Sequence, residues 1–243
     1  MKKPDMPVFL LSDKLVFPPP HLATREGLLA VGGDLSLKRL LLAYRMGIFP
    51  WYAQEDPILW WSPDPRLILY PDELHVSRSL LKTLRKGKFR ITMDAAFAQV
   101  MHACARSRNR DDQGTWIVPE MIAAYRRLWT AGYAHSVECW HENQLAGGLY
   151  GVSLGRCFFG ESMFSEISDA SKIALVHLAA FLKAHGFHFI DCQVKTDHLI
   201  RLGAREISRK EFLHQLQKAL RKKSLRGRWY SAINDPGGKT ADP

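Results

Sequence analysis

Three side chains stand where they could do chemistry. Glu161 lies in "FFGESMFSEISDASK" (158–172), between an aromatic run and the start of an amphipathic helix. A carboxylate there either caps a turn or sits at the mouth of an apolar pocket, where it would read a cation. Asp191 and Gln193 end the stretch "FHFIDCQ" (187–193). Strand alternation puts Phe187, Phe189, Asp191 and Gln193 on one face and His188, Ile190 and Cys192 on the other. Sites in open sheets gather at the carboxyl ends of strands. Asp191 and Gln193 therefore either cap the next loop or handle an amine, with Asp191 as acceptor or base and Gln193 orienting.

Other chemistries find little support. Four cysteines are scattered without a C-x-x-C pair, and ten histidines do not cluster. No metal site, cofactor or disulfide framework is expected, and a reducing cytoplasm is the default compartment. No apolar run approaches the ~20 residues of a membrane span, and "MKKPDMPVFLLSDK" lacks the pattern of a signal peptide. The net charge of +10 points instead to a polyanionic partner. Six cations and no acids fall between Arg78 and Arg90. Arg78, Lys82, Arg85 and Lys86 share one face of a helix, opposite Leu80, Leu81 and Leu84. A solvated face would mix signs, so phosphate binding competes with mere exposure here.

The elements that position these residues read as an α+β chain. Residues 1–62 carry repeated Pro, Gly and Trp around one helix capped by Ser36, with Leu37, Leu40, Leu41 and Tyr44 inward, a small N-terminal domain. The domain from 63 to 243 opens on a strand in "RLILYP". Then come the basic helix, a helix over "ITMDAAFAQVMHACAR" capped by Asp94, and one from Pro119 to Gly132 with Tyr125 in its apolar stripe. From 134 the order becomes β-β-β-α-β-α-β with a final helix from Ser208 and a loose basic tail, "RKKSLRGRW". This order resembles the N-acetyltransferase layout, a mixed sheet with flanking helices. "SMFSEISDASK" lacks the glycine-rich turn that grips coenzyme A, which disfavours acetyl-CoA. Trp51 and Trp116 suit stacking on an unpaired RNA base.

"GLLAVGGDL", "GIFPWY", "LWWSPDPR", "GTWI", "AGGLYGV", "FFGESMFS" and "DCQ" together resemble the leucyl/phenylalanyl-tRNA–protein transferase family, over about residues 27–216. The resemblance implies a small N-terminal domain followed by an acetyltransferase-like (GNAT-like) domain. It implies transfer of Leu or Phe, and less well Met, from aminoacyl-tRNA to proteins with N-terminal Arg or Lys, feeding N-end rule degradation. By the same resemblance, Trp51, Trp116 and Tyr125 attend the 3′-terminal adenosine, and Asp191 and Gln193 are the catalytic pair. Leu149, Phe158, Glu161, Met163, Leu175 and Leu178 line the aminoacyl pocket, and Arg78, Lys82, Arg85 and Lys86 bind tRNA. Nothing in the sequence calls for more than a monomer. Arg201 departs from the family pattern, standing where a small residue precedes "LGA".

Overall fold

The computed structural model describes residues 8–109 and 117–229. Two sheets divide the chain. The first holds β1 (Phe9–Leu11), β2 (Leu28–Gly32), β3 (Phe49–Pro50) and β4 (Leu59–Trp61) in the order β1-β2-β4-β3, with α1 (Leu37–Arg45) between β2 and β3. Ser36 caps α1 by accepting from the Arg39 N–H. The second sheet begins at Arg66. Its strands are β5 (Arg66–Leu69), β6 (Arg90–Met93), β7 (Ala134–His141), β8 (Gln144–Leu154), β9 (Cys157–Ser165), β10 (Phe189–Gln193) and β11 (Arg205–Ile207). They lie in the order β11-β5-β10-β9-β8-β7-β6. Only the β9–β10 pair is parallel in this sheet, bridged by α5 (Ala170–Ala184) as a crossover helix. The expected α+β architecture, a mixed sheet with flanking helices after a small N-terminal domain, is the one observed.

The remaining helices are α2 (Arg78–Arg85), α3 (Phe97–Asn109), α4 (Pro119–Thr130), α6 (Asp197–Arg201) and α7 (Arg209–Leu220). One face of the large sheet is covered by α1, α3, α4 and α7 through Leu40, Tyr44, Phe97, Val100, Tyr125, Leu128 and Phe212. The N-terminal sheet adds Leu29, Phe49 and Trp60 to this same cluster, so its core is continuous with that of the larger domain. The other face is covered by α5 and α2, through Ile173, Leu175, Leu178, Leu182 and Leu80.

Four local expectations are corrected. "RITM" is not helical but forms edge strand β6, paired with β7, because its alternating Ile91 and Met93 bury against the sheet. The helix starts later, at Phe97. Asp94 is therefore no cap; it is fully buried with a positive φ of 56° and accepts from His135, Ser136 N and Trp229 N. Leu81 of α2 is 40% exposed rather than inward, since only Leu80 and Leu84 face the core. The basic tail is tied down as far as Trp229, whose ring stacks on His135 at 3.6 Å.

Candidate active site

Glu161 is the extra residue of a β-bulge. Gly160 opposes Gly151 and Ser162 opposes Tyr150, which leaves Glu161 without a partner on β8. Bulges of this kind re-aim a side chain out of the strand's alternation. Across the bulge, a Cβ on Gly151 would lie 2.2 Å from the Phe159 carbonyl oxygen and 2.5 Å from the Phe158 ring. Only glycine leaves space for Phe158 to take its seat. The Glu161 carboxylate is 7% exposed and accepts from Tyr44 Oη (2.8 Å), Tyr125 Oη (2.8 Å) and Gln193 Nε2 (3.1 Å).

None of those donors is charged, and the proton holding Glu161 neutral has a place. Burial pushes its carboxyl up to about 7, against the lowering effect of the bonds from Tyr125 and Tyr44. The nearby charge of Asp191 pushes the same way as burial. Tyr44 and Tyr125 also touch each other through their hydroxyls. Three oxygen–oxygen contacts thus form a ring served by two phenolic protons. A proton on Glu161 supplies the third, so the neutral acid completes the ring and the carboxylate leaves one contact unmade. Burial and the Glu161 charge hold both phenols well above their ordinary range.

Asp191 is arranged differently. It is fully buried and takes a bidentate bond from Arg66, Nε to Oδ1 at 2.8 Å and Nη2 to Oδ2 at 2.7 Å. Arg66 is itself 1% exposed and lies between the rings of Phe49 and Phe212, 4.8 and 4.5 Å from their centroids. Asp191 Oδ1 also accepts from the Gln193 N–H at 3.0 Å. At that point the β5–β10 register shifts, and Gln193 adopts a positive φ of 64°. The expected shared face of Asp191 and Gln193 is therefore corrected. The left-handed residue turns Gln193 away from Asp191's side and toward Glu161. With both oxygens engaged behind the wall, Asp191 holds the turn rather than touching anything in the cavity.

That cavity measures about 160 Å³. Leu149, Phe158, Glu161, Met163, Leu175 and Leu178 all line it, joined by Gln193 and Trp51. The sequence reading missed Phe49, Tyr150, Ile190, Cys192, Val194 and Leu199, which line it as well. Tyr125 and Asp191 are not in the lining; both stand one layer behind. Trp51 is 41% exposed, tilted against Trp61 at 5.8 Å, and its carbonyl accepts from the Trp61 indole N–H. Trp116 lies outside the described residues. A cavity near 150 Å³ with apolar walls holds a benzene-sized ring. An isobutyl, thioether or benzyl side chain is of that size.

Residues 68–217 match the family described as leucyl/phenylalanyl-tRNA protein transferase, and residues 33–64 match that family's N-terminal domain. The chain belongs to the leucyl/phenylalanyl-tRNA–protein transferase family. A relative from Desulforapulum autotrophicum bearing that name is 59% identical over 92% of this chain and 98% of its own. Another, from Syntrophobacter fumaroxidans, is 64% identical over 86% of this chain and 89% of its own. Among solved structures, a metagenomic aminoglycoside acetyltransferase overlaps 47% of the chain at 13% identity and a TM-score of 0.39. The chain is thus a transferase of a family that uses aminoacyl-tRNA as a substrate, and the resemblance read from its motifs holds.

The basic helix stands apart from the cavity. Arg78, Lys82 and Arg85 on α2, with Lys86 at its C-cap, are all exposed, and none has a carboxylate partner among the described residues. Sequence reasoning missed two residues that build the site. Tyr44 read only as a core position of α1, and Arg66 only as the first residue of a strand. The residues that reveal their roles, Glu161 and Asp191, lie 117 and 125 positions further along the chain.

Proposed function

We propose that this enzyme moves Leu or Phe, and less well Met, from aminoacyl-tRNA to the α-amino group of proteins that begin with Arg or Lys. The reading that such proteins are thereby marked for N-end rule degradation goes with it. The observation that carries the donor class is the apolar cavity of about 160 Å³ with Glu161 and Gln193 in its lining. Leu149, Phe158, Leu175 and Leu178 would surround the donor side chain, and Met163 supplies adaptable filler for ligands of different shape. Trp51, exposed at the rim, offers a stacking face to the terminal adenine, and by family resemblance Trp116 and Tyr125 attend the same adenosine. The cations of α2 would hold the tRNA backbone.

The reaction asks little of acid–base catalysis. The acceptor nitrogen adds to the ester carbonyl, the bond from carbonyl carbon to ribose oxygen breaks, and one proton passes from nitrogen to that oxygen. An N-terminal amine has a pKa near 7.7–8.0, so part of it is already neutral near pH 7. Gln193 donates its Nε2 to Glu161 and leaves its carbonyl oxygen for the incoming amine. Asp191 acts through Gln193, as a positioning residue, and the ribose hydroxyl beside the ester carries the proton. Glu161, able to ionise near pH 7, is the group that would accept a cation from the acceptor.

Transfer of labelled leucine from leucyl-tRNA to two peptides, alike except for N-terminal Arg or Ala, tests the reading. Transfer to the Arg peptide alone is expected. Equal transfer to both would remove the acceptor rule, and transfer to neither would remove the function.

A further inference from the structure

The start of β9 and β10 lies at the end of the strands away from Glu161 and Gln193, and a second set of cations gathers there. Beyond α7 the chain from Arg221 to Trp229 runs across this end as a strap. Its fixings are spread along its length. Ser224 Oγ accepts from Gly155 N at 2.8 Å, and the Lys223 carbonyl accepts from Arg156 Nη1 at 2.7 Å. Arg226 donates to the Ala131 carbonyl and covers the Tyr133 ring at 4.6 Å. Trp229 buries its indole against Phe158, Phe181 and His135, and its backbone N–H donates to Asp94 at 2.7 Å.

The strap holds its charges in place. Six Lys or Arg and no Asp or Glu occur between Leu216 and Trp229. Lys218, Arg221, Lys222 and Lys223 are exposed, and neither they nor Arg156 has a carboxylate partner among the described residues. His188, beside them, is held below its ordinary value by burial and then by the charges of Lys222, Arg156 and Lys218. Like charges fixed on an anchored backbone repel one another, and nothing inside the described chain relieves them. Earlier on α7 the signs are mixed: Glu211 stands beside His214, and Arg209 faces Asp64.

We infer that Lys218, Arg221, Lys222, Lys223 and Arg156 form a second surface for the phosphate backbone of the aminoacyl-tRNA, separate from α2. The inference rests on the reading of the cavity as the site of the tRNA 3′ end. From Arg156 to Glu161 the strand covers five residues, roughly 17 Å at about 3.3 Å per residue. A polynucleotide with its last residue at the cavity carries phosphates over that distance.

The test is leucyl-tRNA binding by wild type and by the Arg221→Gln/Lys222→Gln/Lys223→Gln variant between about 50 and 200 mM salt. Loss of three phosphate contacts should flatten the slope of log affinity against log salt by roughly 2 to 3 and weaken binding about tenfold or more at low salt. Thermal unfolding should match wild type, which separates lost contacts from lost fold. With leucyl-adenosine, which has no phosphate, the two proteins should bind alike. An unchanged salt slope overturns the inference, as does an equal loss with leucyl-adenosine. A raised KM for the acceptor protein with the slope intact assigns the surface to a protein and overturns it too. Failure of wild type to transfer leucine would instead strike the proposed function, while the salt slope still reports on the strap.

Discussion

Neighbouring strands β9 and β10 each carry a carboxylate into the sheet at or beside an irregular residue, and each neutralises it in its own way. At Glu161 the partners are two phenols and an amide, and neutrality comes from a proton that can leave near pH 7. At Asp191 the partner is a buried guanidinium, and neutrality comes from a fixed opposite charge. A buried ion pair is costly to break. A carboxyl among hydroxyls responds to pH. One carboxylate can change state when a cation arrives, and the other keeps the backbone beneath it still.

The largest test of that contrast is Arg66→Leu, which leaves Asp191 as an unpaired buried charge. Urea unfolding should show a loss of about 3–5 kcal/mol. Adding Asp191→Leu should recover most of that stability, because two apolar side chains need no neutralising, yet leucyl transfer should stay low since Gln193 loses its tether. A double variant with full transfer would show that the pair has no positioning role.

Next comes Glu161→Gln, read as stability against pH. The folded chain keeps the Glu161 proton up to about pH 7, whereas an unfolded glutamate releases it near 4.5. Between those values the folded state binds more protons, so wild-type stability falls as pH rises, by about 3 kcal/mol in all. Glutamine keeps the ring of hydrogen bonds complete at every pH. Unfolding free energies from pH 4 to 8 should therefore move in favour of the variant, and parallel curves would mean that Glu161 ionises without hindrance. The smallest effect is expected of Tyr125→Phe, which leaves one buried carboxylate oxygen without its donor. Its cost should be about 1–3 kcal/mol and should grow between pH 5 and pH 8, because the charged form needs the hydroxyl most.

The sequence carried the framework of this site further than its mechanism. The element order from residue 134, the Ser36 cap and the burial of Leu40, Tyr44 and Tyr125 follow from periodicity and capping, which are local. The cavity residues on β8, β9 and α5 were reached through family motifs, since no spacing rule joins Leu149 to Leu178. What escaped has a common cause. The Glu161 bulge and the left-handed Gln193 break strand alternation at the very residues that face the cavity, so a period-two reading misplaced Gln193. Arg66 and Trp229 gain their meaning from partners over a hundred residues away, and the loose tail was misread because its fixings, from Lys223 to Trp229, are to residues far back along the chain.

The place of β5 in the sheet sets an order on the making of this protein. The strand is translated early, yet it lies between β10 and β11, which come last. Arg66 waits 125 residues for Asp191. At the ribosome's roughly 5–20 residues per second that is an interval of about 6 to 25 seconds. All that time the four residues Arg66–Leu69, each buried in the finished protein, have neither neighbour. The nascent chain must carry this strand without its sheet neighbours until β10 and β11 have been made, and only then does the centre of the enzyme close.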